Sequence, residues 1–284
     1  MKYGGQSSVD TLKTVLVKRP DKHFAVEDYE VWGYKRKPNL EIAQQEHDAF
    51  TEILRENDVQ VLYHTTETYS ADSIFVRDPA LITDKGALIL KMGKELRQGE
   101  GESFVHCMKS LGVPVSYLYT ILGIVESGDL VWLEDSLLIV GIGFRTNRLG
   151  ARVLREQNDF EIFDACLPFH KGVEHCLHLT SLISLIGDGK AVAYLPLMPV
   201  PLCNLLHFNG FEIISVPDAE FETGAANVLA LAPGKCLMLE NNPITQKRLE
   251  QAGCEVLTFK GEEICLNTEG GPTCLVNPIL REKE

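Results

Sequence analysis

Five short runs along the chain alternate apolar and polar residues: 59–63, 113–117, 160–163, 211–215 and 254–258. Alternation with a period of two predicts strands with one covered face. Each run follows a helix-like segment and a break: Asn57-Asp58, Gly112, Asn158-Asp159, Asn209-Gly210 or Gly253. Polar or glycine residues at such points end helices. The runs start about 43 to 54 residues apart, the spacing of a repeat architecture.

Between the runs lie pairs of apolar segments joined by turn residues. Segments 81–83 and 87–90 flank Asp84-Lys85-Gly86, and 130–132 and 137–140 flank Glu134-Asp135-Ser136. Segments 182–184 and 191–194 flank Gly187-Asp188-Gly189, and 228–230 and 236–239 flank Pro233-Gly234. Each pair predicts a hairpin, with Gly or Asp supplying the turn. Helices are expected over 96–111, 147–157, 201–208 and 243–252. Two of these open on proline, whose missing donor is one a first helical turn leaves unused. A fifth hairpin forms if segment 12–17 pairs with a strand after Cys274, and helix 40–56 then belongs to that unit. Cys274-Leu275-Val276 is read as the start of that buried strand. The expected fold class is α/β, a five-bladed α/β propeller of ββαβ repeats, with residues 1–284 as one domain. An open α/β sheet is the plainer alternative, but a closed ring leaves fewer free sheet edges.

Composition narrows the function classes. A 284-residue chain with 45% hydrophobic and 24% charged residues describes a globular protein with a large core. No apolar run is long enough for a membrane span, so no membrane partner is expected. The net charge of −13 disfavours nucleic acid and suits a small cationic molecule. Eight cysteines without a Cys-x-x-Cys pair, behind a start with no apolar leader, predict free thiols and a cytoplasmic location. A homo-oligomer stays open. No cofactor or metal is expected. The set His170, His175, Cys176 and His178 matches no familiar zinc spacing, and no Walker loop, Gly-x-Gly-x-x-Gly or Gly-x-Ser-x-Gly is present.

If the units are equivalent, the residues after each alternating run converge on the ring axis. Those residues are polar: Asp72-Ser73-Ile74-Phe75-Val76-Arg77-Asp78-Pro79, Glu126-Ser127-Gly128-Asp129-Leu130, His175-Cys176-Leu177-His178-Leu179-Thr180, Asn227, and Gly270-Gly271-Pro272-Thr273-Cys274. A carboxylate, a histidine and a cysteine at comparable points of successive units are the parts of a nucleophilic site. Each has a structural reading too. The aspartates suit turns, Glu126 and Asp129 suit a hairpin cap, and His178 and Cys274 suit a packed core. Arg145, in Arg145-Thr146-Asn147, could simply precede a capped helix.

Taken in order, these motifs span nearly the whole chain and resemble the guanidine-modifying (pentein) superfamily. That superfamily includes dimethylarginine dimethylaminohydrolase, arginine deiminase and the amidinotransferases. The resemblance implies a five-bladed propeller, in agreement with the repeat count. It further implies Cys274 as nucleophile, His178 as general acid and base, and Glu126 as the carboxylate orienting it. Asp72 and Asp78 would grip a guanidinium, and Arg145 the substrate's α-carboxylate. Arg97 sits where dimethylargininase-like members carry a second carboxylate-binding arginine, and Asn227 falls near the pocket without an assigned role.

The implied reaction is hydrolysis of arginine or an Nω-methylated arginine to citrulline, through a covalent S-alkylthiouronium. An amidinotransferase using the same intermediate, and a non-catalytic binding propeller, are the alternatives. Two positions depart from family patterns. Thr180 stands where arginine deiminases carry an aspartate, and Arg77 where methylarginine hydrolases usually carry an acid.

Overall fold

The computed structural model describes residues 1–283. The chain opens with β1 (Thr11–Val17), α1 (Leu40–Glu56) and β2 (Gln60–Tyr63). The next unit is β3 (Ala80–Thr83), β4 (Gly86–Ile89), α2 (Glu100–Ser110) and β5 (Val115–Tyr117). It is followed by β6 (Leu130–Glu134), β7 (Leu137–Ile142), α3 (Arg148–Glu156) and β8 (Glu161–Cys166). The fourth unit holds β9 (Ile183–Gly187), β10 (Lys190–Ala193), α4 (Val200–Phe208) and β11 (Glu212–Ser215). A single helical turn, α5 (Asp218–Phe221), then leads to β12 (Leu229–Ala232), β13 (Lys235–Leu239), α6 (Pro243–Gln251) and β14 (Glu255–Phe259). β15 (Asn277–Glu282) ends the described chain.

These strands form five separate three-stranded sheets. In each, a central strand pairs antiparallel with one neighbour and, after a helical crossover, parallel with the other. The first sheet is made from both chain ends. β15 lies antiparallel to β1, with Leu16 opposite Asn277, and β2 runs parallel to β1 on its other side. The fold is therefore a five-bladed α/β propeller whose first blade is closed by the C-terminal strand.

Packing shows why the blades hold together. Successive strand residues point to opposite faces, so each blade contributes to two cores. Leu81 packs with Leu130 and Leu138 of the next blade, whereas its neighbour Ile82 packs with Leu16 and Ile279 of the previous one. The remaining cores join the third and fourth blades, the fourth and fifth, and the fifth and first. Five cores linking five neighbouring pairs make a closed ring.

Helix α1 illustrates how sequence sets a blade. The Asn39 side chain caps it by accepting from the Ile42 amide at 3.1 Å. Ala43, His47, Phe50, Thr51 and Leu54 then recur at helical spacing and are buried. Fully burying Phe50 or Leu54 contributes about 1.5–3 kcal/mol each.

Two sequence expectations need adjustment. The helix expected over 96–111 is a tight turn at Glu95–Arg97 followed by α2, with Gly99 between them. Cys274-Leu275-Val276 is not strand. It forms a turn, and β15 starts three residues after the cysteine. Pro272 and the preceding glycines keep this backbone out of the ladder.

Candidate active site

Three tight turns, Ala71–Ile74, Ser127–Asp129 and Leu179–Ser181, stand just ahead of the second, third and fourth blades' hairpins. They are stitched together by buried hydrogen bonds. The Ser127 amide donates to the Asp78 carbonyl at 3.1 Å, and the Gly128 amide to Asp78 Oδ1 at 3.0 Å. The Leu179 amide donates to Asp129 Oδ1 at 2.9 Å, and Thr180 Oγ1 to the Gly128 carbonyl at 2.9 Å. Glycine is required at 128, where a Cβ would lie 2.5 Å from His178 Nδ1 and 2.8 Å from Asp78 Oδ1.

Cys274 is positioned from the opposite side. Its amide donates to the Gly271 carbonyl at 3.0 Å, and its carbonyl accepts from the Arg77 amide at 3.3 Å. Asn227 Oδ1 accepts from the amide and hydroxyl of Thr273 at 3.0 and 2.9 Å, which turns Asn227 Nδ2 toward Cys274 Sγ at 3.7 Å. A Cβ on Gly271 would collide with that asparagine at 2.4 Å.

One cavity of about 30 Å³ is lined by Asp72, Asp78, Arg97, Arg145, His178 and Cys274. The histidine and the cysteine thus share a pocket. Glu126 lies behind it, fully buried, with Oε2 2.7 Å from His178 Nε2. Glu126 Oε1 accepts from the Gly93 and Lys94 amides at 2.9 and 3.1 Å. His178 therefore turns Nδ1 toward the pocket, 4.0 Å from Asp78 Oδ1 and 3.3 Å from Cys176 Sγ.

The electrostatics follow from these contacts. Burial opposes the charged imidazolium, but Cys176, Asp78 and Asp129 outweigh it and hold the His178 pKa well above the ordinary range. Burial would raise Glu126 too, yet its bond to His178, with Arg145 and Arg97 nearby, keeps it well below the usual carboxylate range. Burial pushes Asp129 up to about 6. The Cys274 thiol is also raised, by burial and then Asp78, against the pull of His178. At neutral pH the Cys274 sulfur is therefore a thiol.

The chain's own cations occupy the two aspartates assigned to substrate. Lys94 Nζ lies 2.6 Å from Asp72 Oδ2 and 5.2 Å from the centre of the Trp32 ring. Arg97 donates from Nη1 to Asp78 Oδ2 at 2.6 Å, and in a fork to both Glu100 oxygens at 2.9 and 2.8 Å. Its remaining contact is the Phe75 carbonyl at 3.0 Å. The resemblance makes Arg97 an anchor for a substrate carboxylate; in this structure four of its bonds go to the protein. Arg145 lines the pocket with only a long contact, 3.6 Å, to Glu126.

Sequence reasoning gives no site role to Lys94 and Cys176, which line the pocket, or to Glu100, which backs Arg97 beside it, although Cys176 falls in the run expected at the axis. Glu100 had a signal, an acid three residues after Arg97, the spacing of a helical ion pair. Lys94 had none. Of the His/Cys set that matches no zinc spacing, His175 faces Glu269 at 2.9 Å and His170 faces Glu222 at 3.8 Å, while Cys176 and His178 meet at 3.3 Å. Among the described residues, Asp78, Glu126 and His178 are the group close enough to share a metal ion, and their atoms already hydrogen-bond or face one another.

A ring of five blades with a cysteine, a histidine and acids at its centre defines the guanidine-modifying, or pentein, class. Within that class, residues 22–281 match the model of the family described as N,N dimethylarginine dimethylhydrolase, eukaryotic, and the chain belongs to this family. It is 31% identical to an N(G),N(G)-dimethylarginine dimethylaminohydrolase of Streptomyces coelicolor, covering 93% of this chain and 95% of that one. A Pseudomonas aeruginosa protein of the same name is 26% identical over 84% of this chain and 89% of its own. The solved structure of a cysteine-to-serine mutant of dimethylarginine dimethylaminohydrolase from Pseudomonas aeruginosa, complexed with citrulline, superposes with a TM-score of 0.75. It is 24% identical, covering 96% of this chain and all of that one. The N-terminal domain of ArgZ, a cyanobacterial arginine dihydrolase bound to product, reaches 0.83 at 19% identity, covering 96% and 98%. These likenesses confirm the propeller. The family consists of hydrolases of C–N bonds in linear amidines, and the chain stands among these enzymes.

Proposed function

We propose that the protein hydrolyses the guanidinium C–N bond of arginine or an Nω-methylated arginine, with Cys274 as nucleophile and citrulline as product. The observation that carries this reading is the shared pocket of Cys274, His178, Asp72 and Asp78, with Glu126 fixing the histidine from behind. A guanidinium is planar and resonance-stabilised, and water attacks it poorly. Asp72 and Asp78 hold its N–H groups in charge-assisted bonds once Lys94 and Arg97 yield them, fixing the central carbon beside the sulfur. The bound cation favours the thiolate, which offsets the raised pKa of the resting thiol.

Sulfur attack gives a tetrahedral adduct. Protonated His178 donates its pocket-side proton to the departing amine or ammonia, leaving an S-alkylthiouronium on Cys274. The neutral imidazole then takes a proton from water, which adds to the same carbon. Collapse expels the thiolate and releases the ureido product. Glu126 keeps the imidazole oriented and favours its charged form throughout. Arg145, at the pocket wall, holds the substrate's α-carboxylate.

Mass spectrometry of products from arginine, methylarginines, agmatine and guanidino acids tests the reading. Citrulline from arginine or a methylarginine, absent with Cys274→Ser, is the expected outcome. An amidino product formed only when glycine or lysine is supplied, without citrulline, overturns the hydrolytic step. Full turnover by Cys274→Ser overturns the nucleophile.

A further inference from the structure

A second cavity, of about 30 Å³, shares no lining residue with the substrate pocket. It runs along the first strands of three blades, past Val131, Ser184 and Ala230, and its walls include Arg77, Thr180 and Thr273. These last three are one or two residues from Asp78, His178 and Cys274, so the cavity adjoins the catalytic groups from behind. Its charge is one-sided. Arg77 and Arg281 both line it.

Neither arginine has an ion pair among the described residues. Arg77 donates to the carbonyls of Ser127 and Leu130 at 3.4 and 3.1 Å, which leaves the Nη1 hydrogens for another acceptor. Arg281 is 4% exposed and donates to the carbonyls of Asp10 and Ala230. Its Nε is buried without a partner, as is the Ser8 hydroxyl on the same cavity wall. Asp78 and Asp10 act on Arg77 and Arg281 only from beyond ion-pair distance, and a buried charge without a close counter-charge is disfavoured. Burial, and then Arg77, lowers the Arg281 pKa to about 9, so it remains charged at neutral pH.

We propose that this cavity binds a small inorganic monoanion of the halide class between Arg77 and Arg281. The volume admits a guest of one or two water molecules' size without rearrangement of the walls, as a halide requires. The free N–H groups of Arg77 and Arg281 and the Ser8 hydroxyl are all donors, and carboxylates are missing from the lining residues. The site is separate from substrate recognition and does not depend on the proposed reaction.

Crystals of the wild-type protein grown with sodium bromide, mapped by anomalous scattering, test this directly. A bromide at hydrogen-bonding distance of both guanidinium groups is expected. Bromide found only at surface positions, an adventitious ion only, overturns the site. In solution, replacing gluconate by chloride at constant ionic strength should raise the Tm by about 2–5 °C. Arg77→Met and Arg281→Met should each lose that rise. An equal rise in the variants, or none in the wild type, overturns the proposal, and the bromide map decides the matter if either variant fails to fold.

Discussion

His178 and His47 are buried to nearly the same degree, 3% and 0% exposed, yet they titrate in opposite directions. His47 lies in the outer shell beneath α1, both ring nitrogens unpartnered, and burial lowers its pKa to about 4. His178 lies at the axis, where Cys176, Asp78 and Asp129 overcome the same burial and raise it. The outer shell buries a neutral ring as one more apolar surface. At the axis, burial makes every surrounding charge count for more. The blades supply the low dielectric, and the polar turns between them supply the field.

Removing His178 breaks the axial side of that contrast most severely. His178→Ala should lower kcat by about 10²–10⁴, the usual range for loss of a general acid–base group. Citrulline formation at the wild-type rate would remove the histidine from the mechanism. In wild type the raised pKa also has a stability consequence. Its contribution is fully present below the unfolded histidine pKa of about 6.5 and is lost as pH rises through the folded value.

Arg97 tests how far the axis depends on paired charge. It is 3% exposed and bonded to Asp78 and Glu100, which are equally buried. Arg97→Ala leaves two buried carboxylates without their cation and should destabilise by about 3–5 kcal/mol in urea unfolding. Adding Glu100→Gln should recover part of that loss. A cost below about 1 kcal/mol would mean that water reaches the pair and that the axis is not a dry, charge-balanced core.

The shell gives a smaller effect with a defined pH window. With a folded pKa of about 4, below the unfolded value, His47 contributes no penalty above about pH 6.5. As pH falls from 6.5 to 4 the unfolded state takes up a proton that the native state refuses, and stability drops by on the order of 3 kcal/mol. His47→Leu should shrink that drop and leave stability at pH 7 nearly unchanged. His64, also lowered to about 4 by burial, should keep its own share of the loss in the variant. An unaltered pH profile in His47→Leu would show that the ring is solvated after all.

The blades were far more legible from sequence than the pocket's charge state. Alternation in 211–215 and turn residues such as Gly187-Asp188-Gly189 are local signals, and β9 to β11 formed where they indicated. Pairing of 12–17 with the C-terminal strand was legible because a ring of four hairpins lacks one. The segment Cys274-Leu275-Val276 has the same apolar composition as a true strand, but the Cys274 amide bonds back to the Gly271 carbonyl and closes a turn there. The pairing of Lys94 with Asp72 and Arg97 with Asp78 left no trace in spacing. It depends on where loops from one blade meet turns at the axis, which no local pattern records.

Lys94 sharpens the comparison at its finest level. Its ammonium holds Asp72 at 2.6 Å, where the proposed reaction puts a substrate N–H group, and rests on the Trp32 ring. On that reading an entering guanidinium displaces it, so part of the binding energy goes into breaking an existing ion pair. Lys94→Met keeps the contact with Trp32 through a polarisable thioether and leaves Asp72, 5% exposed, without its cation. The substrate then becomes the partner that carboxylate lacks. KM for arginine should fall about 3–10-fold, with kcat unchanged, because the acid–base groups are untouched. A rise in KM for arginine but not for agmatine, which has no carboxylate, would instead show that Lys94 leaves Asp72 on binding and takes hold of the substrate's α-carboxylate.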